Sequence, residues 1–415
     1  MIEPLIDRAN QLIRLNRFEE AEKELRGILS MDPNHTHAIA LFSLCLCEQG
    51  KLAEAIRNIH LAVGKEPDND FYLYLNALFL FRNDNLKEAQ ELILNAIRFQ
   101  PHHAEYFGLL ASVHLSLKEW TFALDSSNQG LAIDPDNLTC LNTRSTALFK
   151  LNKKDEAYAT IEKALLNDPQ NDVTHSNIGW GLLEKGDHKR ALEHFSASLR
   201  INPNSAYAKA GLVEGLKARY WFYKLFLKYA FWLSNMKSKG QWMVILGLYF
   251  GVKLLQVIAA SNAFLALIIT PLIFLYIIFA VSTWIIGPLS NLFLRLNVYG
   301  KYALDKEEIE SSNYVAMALC VGLAGGLLYI FEQNFLYLMI LIYGITMMIP
   351  LASMLNPKKP KSKKVLITYA VSMALIGLLS LIQYAYTNEV GLLAPVYMVG
   401  IFAYGWIANA ILIRS

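Results

Sequence analysis

The stretches AIRNIHLAVGKEP (Ala55–Pro67) and AQELILNAIRFQP (Ala89–Pro101) decide the fold of half this chain, because the second repeats the layout of the first 34 residues later. The same proline recurs at Pro33, Pro67, Pro101, Pro135, Pro169 and Pro203 without an insertion. Twelve residues before each stands an alanine: Ala21, Ala55, Ala89, Ala123, Ala157 and Ala191. Four residues further on come Leu25, Ile59, Ile93, Ile161 and Phe195, with Ser127 the one exception. A third small residue keeps phase at Ala9, Ser43, Ala77, Ala111, Ser145 and Gly179. A fixed period of this length marks a stacked repeat array, each unit a helical hairpin. Small side chains let its two helices approach, and the proline with Asp32, Asp134, Asp168 or Asn202 ends the second helix.

Over residues 2–205 this pattern resembles the tetratricopeptide repeat family, with Ser127 and Gly130 making the fourth repeat the weakest match. The resemblance implies six repeats over 1–205, forming an α-solenoid that binds proteins or peptides and is not a catalyst. In the family the first helix of each hairpin lines a concave groove. Its groove positions fall here on Phe71, Tyr74, Leu78, Phe81 and Arg82 in the third repeat, Asn142, Phe149 and Lys150 in the fifth, and Trp180 in the sixth. Such an aromatic trough suits a peptide with apolar side chains or an amphipathic helix. The third repeat's first helix is apolar almost all round, since Leu73, Ala77 and Leu80 take the packing face. Either a partner covers the trough, or another part of the chain does, or its rings lean into the core. The family's Lys/Asn clamp for acidic chaperone tails does not match: Asn10 is in place, but Ile6 and Leu41 replace its partners.

The chain has 415 residues, 54% of them hydrophobic and most of the excess in its second half. The first 215 residues carry 22 basic and 29 acidic side chains, and the next 25 carry six basic and none acidic. The net charge of +3 therefore hides an acidic array beside a basic junction. Cys45, Cys47, Cys140 and Cys320 lack metal-ligand spacing and read as reduced thiols. MIEPLIDRANQLIRL already belongs to the first repeat, so no cleavable signal peptide is expected and the array should stay in the cytoplasm.

From 241 onward the chain reads as a transmembrane domain of six apolar runs: Trp242–Ala260, Ala263–Gly287, Tyr314–Phe331, Phe335–Leu355, Val365–Tyr386 and Leu392–Ile413. Lys358, Lys359, Lys361, Lys363 and Lys364 crowd one loop, whereas the loops at Glu332 and Glu389 hold no basic residue. Six spans and a cytoplasmic amino terminus put that loop, the 288–313 segment and Arg414 inside. Five spans would put the lysine loop outside. The whole chain resembles bacterial integral membrane proteins with amino-terminal tetratricopeptide repeats, which implies a bacterial inner membrane. Lys253, in the middle of the first run, either marks a polar pathway or snorkels to the headgroups. Ala318, Gly322 and Gly326 form a small-xxx-small pattern, for packing inside the bundle or for a homodimer. Pro271, Pro350 and Pro395 are expected to kink their helices.

Between array and membrane, 206–240 begins with the spacing of a capping helix (Gly211, Leu212, Gly215, Leu216). An interfacial helix follows, in which Lys217, Arg219, Lys224 and Lys228 interleave with Trp221, Phe222, Tyr223 and Trp232. Aromatics beside lysines favour the bilayer interface and anionic lipids, and nucleic acid is not expected. In the 288–313 segment Leu289, Leu292, Phe293 and Leu296 form an apolar stripe, with Asn291, Arg295, Asn297 and Tyr302 on its polar side.

All nine histidines lie in the array and no span holds an Asp, so the membrane half lacks a Ser–His dyad, a zinc site and a carboxylate proton relay. No cofactor, metal or catalytic residue is expected. The sequence thus predicts an all-α protein, a repeat solenoid followed by a six-helix transmembrane bundle, acting as a membrane-anchored scaffold. The alternative is a transporter or channel subunit with a regulatory array.

Overall fold

The computed structural model describes residues 2–296, 304–357 and 359–414. Among them every regular element is an α-helix. The chain divides into two compact units: Met1–Gly181 with Ala197–Ser205 and Asn235–Lys237, and Leu182–Ser196 with Ala206–Ser234 and Ser238–Ser415.

Ten helices pair in sequence: α1 (Glu3–Arg14) with α2 (Phe18–Met31), α3 (Thr36–Glu48) with α4 (Leu52–Lys65), α5 (Asp70–Arg82) with α6 (Leu86–Phe99), α7 (Ala104–Ser116) with α8 (Trp120–Ile133), and α9 (Leu138–Lys150) with α10 (Lys154–Asn167). α11 (Asp172–Glu184) and α12 (His188–Ile201) follow, the Ser176 and Ser198 hydroxyls meeting at 2.8 Å. The periodic alanines are the pivot of each pair: Ala21, Ala55, Ala89, Ala123, Ala157 and Ala191 are all wholly buried. In the weak fourth repeat Ser127 is buried and satisfies its hydroxyl on the Ala123 carbonyl at 2.8 Å. A Cβ on Gly130 would stand 2.4 Å from Cys140 Sγ, so the fifth repeat fills the volume that the fourth leaves.

Two turns alternate. Within each hairpin one residue is left-handed: Asn16, Gly50, Asp84, Lys118, Asn152 and Gly186, at the repeat interval. Gly, Asn and Asp adopt that conformation most readily, and Lys118 is the costly member. Around the prolines, Asp32, Asp134, Asp168 and Asn202 accept from the backbone N–H two residues on, at 3.0–3.2 Å. Asn69, Asn137 and Asn171 then cap the next helix.

The second unit holds α13 (Ala206–Lys217), α14 (Trp221–Ser234) and six further helices: α15 (Ser238–Ser261), α16 (Ala263–Arg295), α17 (Lys306–Glu332), α18 (Phe335–Ser353), α19 (Pro360–Thr387) and α20 (Leu393–Arg414). Among the described residues five of these, α16 to α20, are long and apolar enough to cross a membrane, one fewer than the sequence predicts. The sixth, α15, is 24 residues long, about 36 Å at about 1.5 Å per residue against a hydrocarbon core of about 30 Å, and Leu246–Ser261 is its described apolar stretch. It packs against α16 as a hairpin.

The predicted amphipathic segment is not a separate helix. α16 runs on through Pro271 and Pro288 to Arg295, and there the buried residues are Ser290, Asn291 and Leu294, whereas Leu296 is 83% exposed. Leu294 packs with Val213 and Leu216 of α13 and with Leu304, which turns Asn291, expected on the polar side, inward. Asn297, Tyr302 and Lys358 lie outside the described residues. Lys363 pairs with Glu307, so the ends of α13 and α16 and the starts of α17 and α19 gather at one end of this unit.

Candidate functional site

The first helices of successive repeats pack on one another, α1 on α3, α3 on α5, α5 on α7 and α7 on α9, so the array closes on their side. That inner surface is the candidate site. On α5, Phe71, Tyr74, Leu78 and Phe81 are half-buried: their bases rest on the core and their outer edges are open. The Tyr74 ring stacks on Tyr106 with centroids 5.0 Å apart, and Tyr106 Oη donates to Asp70 Oδ2 at 2.6 Å. Burial and the Asp70 carboxylate push that hydroxyl far above its ordinary range, so it stays a donor. His37 stands 6.0 Å from the Phe71 ring. At the other end of α5, Arg82 pairs with Glu48 at 2.8 Å and donates to Cys47 Sγ at 3.1 Å. The surface is therefore an aromatic strip with fixed polar groups at each end.

The other expected groove residues sit differently. Asn142 is 8% and Phe149 2% exposed. Phe149 lies under Gly181, where a Cβ would come within 2.5 Å of its ring, and it meets Tyr158 edge-on. It is a core residue, held down because Gly181 leaves room for it. Trp180 is half-buried. Lys150 reaches Asn235 Oδ1 at 2.8 Å and lies 5.7 Å from the centre of the Trp120 ring.

That last contact belongs to a feature with no sequence signal. The three residues Asn235–Lys237 dock on the turns of the fourth and fifth repeats, where Lys118 Nζ donates to the Met236 carbonyl at 2.8 Å and Lys237 pairs with Glu119 at 3.0 Å. Glu119 also meets His114 Nδ1 at 3.0 Å. Burial opposes its ionisation, but the hydrogen bonds from Lys237 and His114 outweigh it and hold the carboxyl below its usual range.

From the end of α13 through α14 the expected interface residues divide into buried and exposed groups. Lys217 is 4% exposed and pairs with Glu214 at 3.3 Å, and Tyr223, 3% exposed, donates to Glu214 at 2.6 Å. Both are interior groups, not lipid contacts. Phe222 and Lys224 are half-buried, Phe222 against Phe293 with ring centres 5.5 Å apart. Arg219 is exposed, and Trp221, Leu225, Lys228 and Trp232 form one exposed stripe at helical spacing. Lys253 is exposed on α15. Among the described residues no three His, Cys, Asp or Glu side chains gather to hold a metal ion.

These features define a helical-repeat array joined to a set of apolar, span-length helices. Residues 142–206 match the tetratricopeptide repeat family model, in keeping with the repeats of the array. The chain is 26% identical over 227 residues to the DnaJ homolog subfamily C member 7 homolog of Schizosaccharomyces pombe, a match covering 50% of this chain and 48% of that protein. It is 27% identical over 143 residues to the type IV pilus assembly protein PilF of Pseudomonas aeruginosa, covering 34% and 56%. The chain thus spans about half the length of these curated relatives. Among solved structures, the APC/C hetero-tetramer Cut9-Hcn1 aligns with 18% identity and a TM-score of 0.47 over 52% of this chain and 43% of that one.

Proposed function

We propose that this protein is a membrane-anchored scaffold whose repeat array binds a protein or peptide through the inner surface at Phe71, Tyr74, Leu78 and Phe81. The half-exposed aromatic strip on α5 carries this reading: four large apolar side chains fixed at their bases and open at their edges form a ready-made surface for an apolar segment. One of the relatives is by its name a pilus assembly protein, which is in keeping with a partner-binding role. Lys253, one of the motives for a transport reading, stands on an exposed side of α15 and is not among the described lining residues of the cavity at the helix ends of the second unit, which favours the scaffold.

The membrane in this reading is a bacterial inner membrane. The lysine loop marks the cytoplasmic side, because basic loops stay inside. In this reading the 24-residue α15 crosses as well, so that the α15–α16 hairpin enters from that side and returns to it, which keeps α13, the lysine loop and both termini cytoplasmic. The Trp221, Leu225, Lys228 and Trp232 stripe then lies against anionic headgroups.

Affinity recovery of the full chain from mild detergent tests the scaffold reading. A chain that co-purifies with the wild type and is lost on replacing Phe71, Tyr74 and Phe81 with Ala, with helicity unchanged, is the expected result. Recovery unaffected by the triple substitution contradicts the groove.

A further inference from the structure

At the end of the second unit where the start of α17 meets the ends of α16 and α18 lies a cavity of about 420 Å³, lined among others by Lys217, Trp284, Asn291, Asp305, Glu308 and Asn356. Its polar groups do not balance. Asn291 is 4% exposed, yet its Oδ1 has no hydrogen-bond partner. Native interiors rarely leave such an acceptor unpaired, and the exceptions mark strain, catalysis or a missing ligand. Close by, Asp305 and Glu308 cap α17 reciprocally: Asp305 Oδ1 accepts from Glu308 N at 2.8 Å and Glu308 Oε2 accepts from Asp305 N at 3.0 Å. Each carboxylate uses one oxygen in the cap and keeps the other. Glu307, also on the wall, is paired with Lys363. Among the described residues of the lining the one ammonium, Lys217, is already engaged with Glu214 at 3.3 Å. Acceptors and negative charge are thus in excess, and Trp284 adds an aromatic wall suited to a cation.

A metal ion does not fit, because no three ligating side chains converge among the described residues. We propose that this cavity binds a primary ammonium group, its N–H bonds shared between Asn291 Oδ1 and the free carboxylate oxygens of Asp305 and Glu308. An orphan carbonyl oxygen demands a donor, which excludes quaternary ammonium, and the carboxylates demand positive charge, which excludes a neutral amide or alcohol. The ammonium is either that of a small free amine or the ethanolamine end of a phospholipid, since the cavity lies at the ends of span-length helices. The site is independent of the groove in the repeat array.

Thermal unfolding of the full chain tests it, with ethanolamine, choline and inorganic phosphate as probes at matched ionic strength. A second arm compares nanodiscs of phosphatidylcholine with and without phosphatidylethanolamine. Ethanolamine or phosphatidylethanolamine should raise the midpoint, while choline and phosphate should not. Asn291→Leu should unfold at the same or a higher temperature without ligand, because the orphan acceptor is gone. It should also need about tenfold more ethanolamine for the same shift, as expected for losing one hydrogen bond to a charged group. Glu308→Gln keeps an acceptor for Asp305 N, and with it the helix cap, and should weaken the response likewise. A response confined to phosphatidylethanolamine identifies the headgroup as occupant, and one that includes free ethanolamine identifies a soluble amine. No shift from either amine, an undiminished shift in both variants, or an equal shift with choline or phosphate overturns the proposal.

Discussion

Gly322 and Gly344 meet backbone to backbone between α17 and α18: a Cβ on Gly344 would stand 2.4 Å from Gly322 N and 2.5 Å from its Cα. Neither helix could come so close with any larger residue at 344. Gly344→Val should therefore destabilise the second unit by about 1–3 kcal/mol or more, the usual cost of overpacking. Nothing lies within 4 Å of a Cβ at Gly405, so Gly405→Val should cost far less. Thermal unfolding in detergent compares the two, and equal losses would mean that the contact does not set the helix approach.

Phe149 separates core from groove. Because it lies 2% exposed beneath Gly181, Phe149→Ala should cost about 3–5 kcal/mol of array stability, the usual range for truncating a buried aromatic. Replacing the half-exposed Phe71 or Phe81 should cost clearly less. Urea unfolding followed by circular dichroism measures the difference, and a Phe149→Ala array as stable as the wild type would return that ring to the surface.

These two cases mark what was legible in the sequence. The hairpins were, since three position types keep phase through six repeats and each is a packing requirement met locally. The small face of α17 was also legible, with Ala318 and Gly322 at the contact, but its counterpart Gly344 stands alone in α18 and has no pattern around it. The left-handed turn residues do keep phase, yet their identities vary from Gly to Lys, so a reading by residue type passes over them. The docking of Asn235–Lys237 on Lys118 and Glu119 joins residues more than a hundred positions apart and leaves no periodic trace. On α16 the apolar stripe predicts an amphipathic segment with Asn291 on its polar side, but α13 packs against Leu294 and Asn291 is buried.

Glu119 gives that docked segment a pH dependence. A carboxyl held below its ordinary range contributes stability that is complete above the unfolded value of about 4.3 and is lost as pH falls through the lower folded value. Protection of the Asn235–Lys237 amides, corrected for intrinsic exchange, should be flat from neutral pH down to that range and fall below it. Glu119→Gln should remove the step, and a step that survives would assign it to another group.

The cysteines report burial and membrane depth together. Burial pushes the Cys45 and Cys140 thiols up to about 12 and raises Cys47 as well, whereas Cys320 is exposed on α17 within a candidate span. At neutral pH a charged maleimide should label none of the four in intact membranes, and a lipid-soluble one should label Cys320 alone. Mass spectrometry of the labelled chain reads the outcome. Labelling of Cys320 by the charged reagent would mean that α17 faces water.

The central claim is that the inner face of the array holds a partner, and site-specific photo-crosslinking in growing cells tests it most directly. A photoreactive residue at Tyr74 or Phe81 should give a discrete adduct with another protein, while one at Leu166, 76% exposed on α10, should give none. Adducts from Leu166 with none from Tyr74 or Phe81 would contradict the account.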